Sequence, residues 1–184
     1  MSLSTHRRPA AALPDPARYL RPVLSRLALF CVLCATALAI AAPAGAAGRD
    51  AWSTVNLCDT ARKPDWIGLR ASMPGINHKG AVMLMRFQVQ YLAGGKVWKQ
   101  VPSLDTRYLK VGTGRTGVVS GHSFRIQPPA KGSSFVLRGL VSLRWQTAAG
   151  VVLQAKKRVT TAGHPGTVGA DPAGYSAATC TIRG

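Results

Sequence analysis

The stretch AVMLMRFQVQY at residues 81–91 alternates without interruption. Ala81, Met83, Met85, Phe87, Val89 and Tyr91 fall on one side of an extended chain, and Arg86, Gln88 and Gln90 on the other. A period of two, apolar against polar, marks a strand with one face buried and one face wet. FVLRGLVSLRWQ at 135–146 repeats the scheme: Phe135, Leu137, Val141, Leu143 and Trp145 face inward, and Arg138, Ser142, Arg144 and Gln146 outward. GVVSGHSFRI at 117–126 does the same, with Val118, Phe124 and Ile126 inward and Arg125 outward.

Six further strands are predicted at 52–58, 66–72, 96–101, 107–111, 151–160 and 175–182. Turn signals separate them: Pro74-Gly75, Gly94-Gly95, Pro128-Pro129 and the TAAG of 147–150, which should close a hairpin. Past residue 47, no stretch longer than ten residues with helical periodicity is free of Gly and Pro. About nine short strands with this punctuation predict an all-β fold, a two-layer antiparallel β-sandwich of immunoglobulin-like topology. Residues 162–174, AGHPGTVGADPAG, read as an irregular connection before the last strand.

The first residues belong to a different class of segment. Five arginines and one acid, Asp15, occupy residues 1–26, and the uncharged run LALFCVLCATALAIAA follows at 27–42. Small residues AGAA come after Pro43. A basic start, an apolar run and an A-x-A site predict a secretory signal peptide over 1–46, with cleavage near Ala47. The run is 16 residues, shorter than the roughly 20 that span a bilayer comfortably. The alternative is an uncleaved anchor holding the domain outside the membrane. Residues 47–184 then form a single exported domain, large enough to bury its own core.

That domain carries 19 Lys and Arg against five Asp and no Glu, a net charge of +14. Such a balance favours anionic surroundings, such as cell-envelope polymers. Only Cys58 and Cys180 remain after cleavage, and an exported domain meets oxidising conditions, so the two are expected to pair. Alternation puts Cys58 with the polar Thr54 and Asn56, which predicts a meeting at a sheet edge away from the deep core. The bridge would join the first strand to the last.

The succession LCDTA, ASMPG, FVLRGLVSLRW and GADPAGYSAATC, spread over 52–183, resembles a group of secreted bacterial proteins with an immunoglobulin-like sandwich. The resemblance implies that fold and an extracytoplasmic location. It carries over no functional residues.

Motifs for catalysis are weak. GTGRTG at 112–117 matches a dinucleotide fingerprint, but a strand follows it where a helix is required, which makes it a glycine-rich turn. GYSAA at 174–178 resembles a nucleophile elbow at Ser176, with too few residues after it for the helix that an elbow needs. His78, His122 and His164 lack metal-ligand spacing, and His122 alternates onto an apolar face, where a partly buried, hydrogen-bonded histidine is expected. No metal and no cofactor are called for, and an enzyme is not expected.

The remaining candidate is electrostatic. If 81–91, 135–146 and 151–160 are neighbours, their outward faces gather Arg86, Arg138, Arg144, Lys156 and Arg158 among Gln88, Gln90, Gln146 and Gln154. Such a face suits anionic envelope polymers; the plainer alternative is a solvated sheet face with arginine stems covering apolar surface. Nucleic acid is disfavoured, because the aromatics of these strands point inward and leave no stacking platform. Membrane contact is expected only if the signal segment stays attached. A second class of function is a structural subunit of a surface assembly, joined to another surface protein through strand edges. A hydrolase is a distant third.

Overall fold

The computed structural model describes residues 50–165 and 167–184; the predicted signal segment lies outside them. Nine strands follow in order: β1 (Trp52–Thr60), β2 (Lys63–Met73), β3 (Val82–Ala93), β4 (Val97–Asp105), β5 (Leu109–Thr113), β6 (Val118–Arg125), β7 (Ser134–Gln146), β8 (Val152–Val159) and β9 (Cys180–Arg183). Among the described residues there is no helix. The strands form two antiparallel sheets, one of three strands in the order β1-β2-β6 and one of six strands built around β3 and β7.

The two stretches that decide the fold lie side by side. β3 and β7 pair from Val82↔Gln146 to Tyr91↔Leu137 in one unbroken register. Each offers its other edge to two shorter strands. β5 and β4 divide the far edge of β3, and β8 and β9 divide the far edge of β7. The large sheet is therefore four strands wide.

Alternation places the core. Met83, Met85, Phe87, Val89, Val141, Leu143 and Trp145 of the large sheet join Val55, Ile67, Leu69, Ala71, Met73, Phe124 and Ile126 in one buried cluster. Trp145 is fully buried, yet its indole Nε1 donates to the Pro74 carbonyl at 2.9 Å, so this large side chain leaves no polar atom unpaired. Gly139 occupies the one inward position of β7 where a side chain does not fit. A Cβ there would lie 2.7 Å from both Leu69 Cδ2 and Thr160 Cγ2.

Cys58 and Cys180 form a disulfide, with Cα atoms 5.4 Å apart. It ties β1 to β9 and so links the two sheets. The two cysteines do meet at sheet edges, β1 of the small sheet and β9 of the large one, yet on the core side and not with Thr54 and Asn56: Cys180 is buried and the half-buried Cys58 packs against the core cluster. The reason is a bulge. β1 pairs Val55↔Leu69 and then Leu57↔Gly68 and Cys58↔Ile67, and the extra residue transfers Cys58 from the Thr54 face to the core face.

The last strand is also shorter than its predicted range of 175–182. Residues 171–177 instead run along the free edge of β1, where Val55 and Ala177 exchange both backbone hydrogen bonds (2.9 and 3.0 Å) and Asp171 N donates to Asn56 O at 2.9 Å. The connection thus covers an edge that would otherwise expose unpaired donors and acceptors. TAAG does close the β7–β8 hairpin, with Gly150 at φ 86° and Thr147 N bonded to Val151 O at 2.8 Å.

Candidate functional site

The face of the large sheet turned away from the core is set by register. On β3 it carries Leu84, Arg86, Gln88 and Gln90, and on β7 Arg138, Leu140, Ser142 and Arg144. Arg86 lies opposite Ser142, Gln90 opposite Arg138, and Leu84 opposite Arg144. Three of the five predicted basic residues, Arg86, Arg138 and Arg144, therefore share one surface.

Lys156 and Arg158 do not. β8 pairs Gln146↔Val152 and then Trp145↔Gln154, so a one-residue bulge at Leu153 shifts the register before the basic residues are reached. Lys156 then stands opposite Leu143 and Arg158 opposite Val141, both core-facing positions. Without the bulge they would stand opposite Ser142 and Leu140, on the predicted face. Because β8 is the outermost strand, Lys156 remains exposed. Arg158 turns its Nε to the Ala51 carbonyl at 2.9 Å and anchors the entry into β1. Lys157, opposite Ser142, replaces them on the outer face.

Each of the three arginines has a partner that fixes it. Arg86 holds Asp105 through Nε, at 2.8 and 3.1 Å to the two carboxylate oxygens, and through Nη2. Gln88 Nε2 donates to the same carboxylate at 3.1 Å, and the Arg107 amide at 2.9 Å. These bonds, the Arg86 side chain first, hold the Asp105 carboxyl at about 2. Arg107, at φ 57°, turns the chain from β4 towards β5 while its amide is held by Asp105.

Arg138 lies over the Trp98 ring, its guanidinium carbon 4.2 Å from the centroid, and donates from Nε to Gln90 Oε1 at 2.8 Å. Burial lowers its pKa from the ordinary value, though a guanidinium remains charged in any aqueous condition. Arg144 lies over Tyr108, 3.9 Å from the ring centroid. Stacking against an aromatic face is favourable for a guanidinium and fixes its plane.

Trp98 and Tyr108 were not legible as part of this surface. The aromatics of β3 and β7 do point inward, as alternation predicts, but these two come from β4 and the β4–β5 link. Trp98 stands opposite Leu92 and Gln100 opposite Gln90, both on the outer face. Lys110 of β5, opposite Leu84, adds a further cation. The two arginine–aromatic pairs are six residues apart on β7, about 20 Å at the rise of a strand.

Other predicted chemistry falls elsewhere. Ser176 Oγ sits 2.8 Å from Thr54 Oγ1 and accepts from the His164 backbone amide at 2.9 Å, so its neighbours are structural and the imidazole does not reach it. The His164 ring stacks on Trp52 at 4.4 Å, and burial lowers its pKa. His122 is exposed, contrary to the expectation of a partly buried, hydrogen-bonded side chain, and stands edge-on to Phe124 at 4.7 Å. Its strand, β6, is the outermost of the small sheet, and the core cluster covers the inward Phe124 but does not reach over His122. GTGRTG forms the turn from β5 to β6, with Gly114 at φ 81°. Among the described residues no group of three or more His, Cys, Asp or Glu is placed to hold a metal.

A concavity of about 450 Å³ opens between Tyr91, Val101, Leu104, Ile126, Phe135 and Leu137. Phe135 is 40% exposed there instead of buried as its alternation predicts. It lies near the start of β7, opposite Ile182 of the short β9.

No protein-family model matches the chain, and no curated protein matches it.

Proposed function

We propose that the chain is an exported, non-enzymatic β-sandwich of immunoglobulin-like type, kin to the secreted bacterial proteins it resembles, that binds anionic cell-envelope components through the outer face of its larger sheet. The observation that carries the reading is the placement of Arg138 and Arg144 on one surface, each seated over an aromatic ring, with Arg86 between them holding Asp105. A pre-positioned guanidinium loses less side-chain freedom on binding than a mobile one. The net charge of +14 over 47–184 raises the encounter rate with any polyanion. The disulfide supports an oxidising location, and the basic-then-apolar start supports export with residues 1–46 as signal.

The register of β8 provides an internal control for the test. Arg138→Gln with Arg144→Gln removes two charges from the proposed face, whereas Lys156→Gln with Arg158→Gln removes two charges from the opposite side of the same sheet. Retention on isolated envelope polymers should fall at least fivefold for the first pair and little for the second. Equal losses for both pairs would show a bulk-charge effect and no dedicated face.

A second reading rests on β8 itself. It is an outer strand, and Val151, Val152, Leu153 and Val159 are 62%, 50%, 40% and 41% exposed around it. An edge of this kind suits a structural subunit that adds a strand from another surface protein. Lys156, Lys157 and Arg158 in its centre oppose pairing with a second copy of itself.

A further inference from the structure

Asp105 shows how this surface holds a carboxylate: an arginine fork from Arg86 and a side-chain amide from Gln88, two residues further along β3. The same two residue types recur one step on. Gln90 is the next outward residue of β3, and Arg138 faces it across the ladder. Here the two bond directly to each other, at 2.8 Å, and among the described residues no acid occupies the guanidinium. Using Nε for Gln90 leaves both terminal nitrogens of Arg138 as donors. Accepting through Oε1 leaves the Gln90 amide nitrogen as a donor too. Trp98 lies against the guanidinium, and Gln100 adds a second amide beside Gln90.

We propose that Arg138, Gln90 and Trp98 form a carboxylate subsite, and that its ligand is a carboxylated polysaccharide laid along β3 and β7 towards Arg144 and Tyr108. The proposal rests on the reading of this face as a polyanion surface and names the polymer. A planar carboxylate matches a guanidinium fork with two parallel hydrogen bonds. The amides of Gln88, Gln90 and Gln100 both donate and accept, which suits sugar hydroxyls. The second arginine–aromatic pair lies about 20 Å along the strand, beyond the reach of one sugar acid and within that of a chain of them. Lys110 and Lys157 border the path.

The test is calorimetric titration of the purified protein with polygalacturonate, its methyl ester, polyphosphate, and phosphatidylglycerol vesicles. Binding to polygalacturonate should be at least tenfold tighter than to the ester or to polyphosphate. Arg138→Lys keeps the charge and loses the fork, so it should weaken polygalacturonate binding about tenfold while Lys156→Gln changes it little. Should Arg138→Lys fail to fold, Gln90→Leu serves in its place and should show a several-fold loss. Equal affinity for polyphosphate with no effect of Arg138→Lys overturns the carboxylate subsite and leaves the polyanion face standing. Vesicle binding without polymer binding overturns it in favour of a lipid surface, and no binding to any of the four overturns both readings.

Discussion

Replacing Asp105 with asparagine removes a charge and puts an NH2 donor in place of one of two accepting oxygens, a change close to protonating the carboxyl, and the structure says what that charge contributes. The Arg86 side chain, the Arg107 amide and Gln88 together hold the Asp105 carboxyl at about 2, against an ordinary value of 3.8. A shift of that size corresponds to about 2.5 kcal/mol in favour of the folded chain. Arg86 is 37% exposed, and solvent screening brings the expected contribution to about 1–2 kcal/mol. Because the folded value lies below the unfolded one, this stability is complete above about pH 4 and is lost as pH falls through about 2. Asp171, bonded to Arg62 and Thr60, is also held below the usual carboxylate range, and it remains in the variant. The informative quantity is therefore the difference between wild type and Asp105→Asn, measured by urea unfolding across that range. It should be about 1–2 kcal/mol near neutrality and close to zero near pH 2. A difference that stays constant with pH would mean that Asp105 acts through shape alone, and the carboxylate-holding role given to Arg86 and Gln88 would go with it.

Two further outcomes follow from the fold. The disulfide closes a loop of 122 residues, and Cys180→Ser should cost up to about 5 kcal/mol in the chain-entropy account, read as a fall in the urea midpoint that matches reduction of the wild type. Gly139→Ala drives a methyl into Leu69 and Thr160 and should destabilise by about 1–3 kcal/mol; an unchanged melting temperature would show that the β7–β2 contact yields easily.

What could be read from the chain, and what could not, divides at two bulges. The uninterrupted alternation of 81–91 and 135–146 was enough to place Met83, Phe87, Val141 and Trp145 in the core and Arg86, Arg138 and Arg144 outside it. Alternation carries across a strand pair only while the register is constant. One extra residue at Leu153 moved Lys156 and Arg158 off the predicted face, and one in β1 moved Cys58 onto the core face. Neither position carries a glycine or proline to announce the irregularity. Trp98 and Tyr108 escaped for another reason: their partners lie 40 and 36 residues away in Arg138 and Arg144, and which strand would lie beside β3 is a matter of topology that period two does not contain. The 162–174 connection was legible as irregular, but its role in covering the β1 edge depends on that same topology.

The most direct test of a charge-bearing binding face is the salt dependence of the purified protein's affinity for isolated envelope polymers. Raising ionic strength from about 0.01 M to 0.15 M shortens the screening length from about 30 Å to about 8 Å. Wild-type affinity should fall at least tenfold over this range, and Arg138→Gln with Arg144→Gln should both lower the low-salt affinity and flatten the dependence. Affinity that is high and indifferent to salt, with the double variant matching wild type, would contradict a charge-bearing face and favour strand addition at β8.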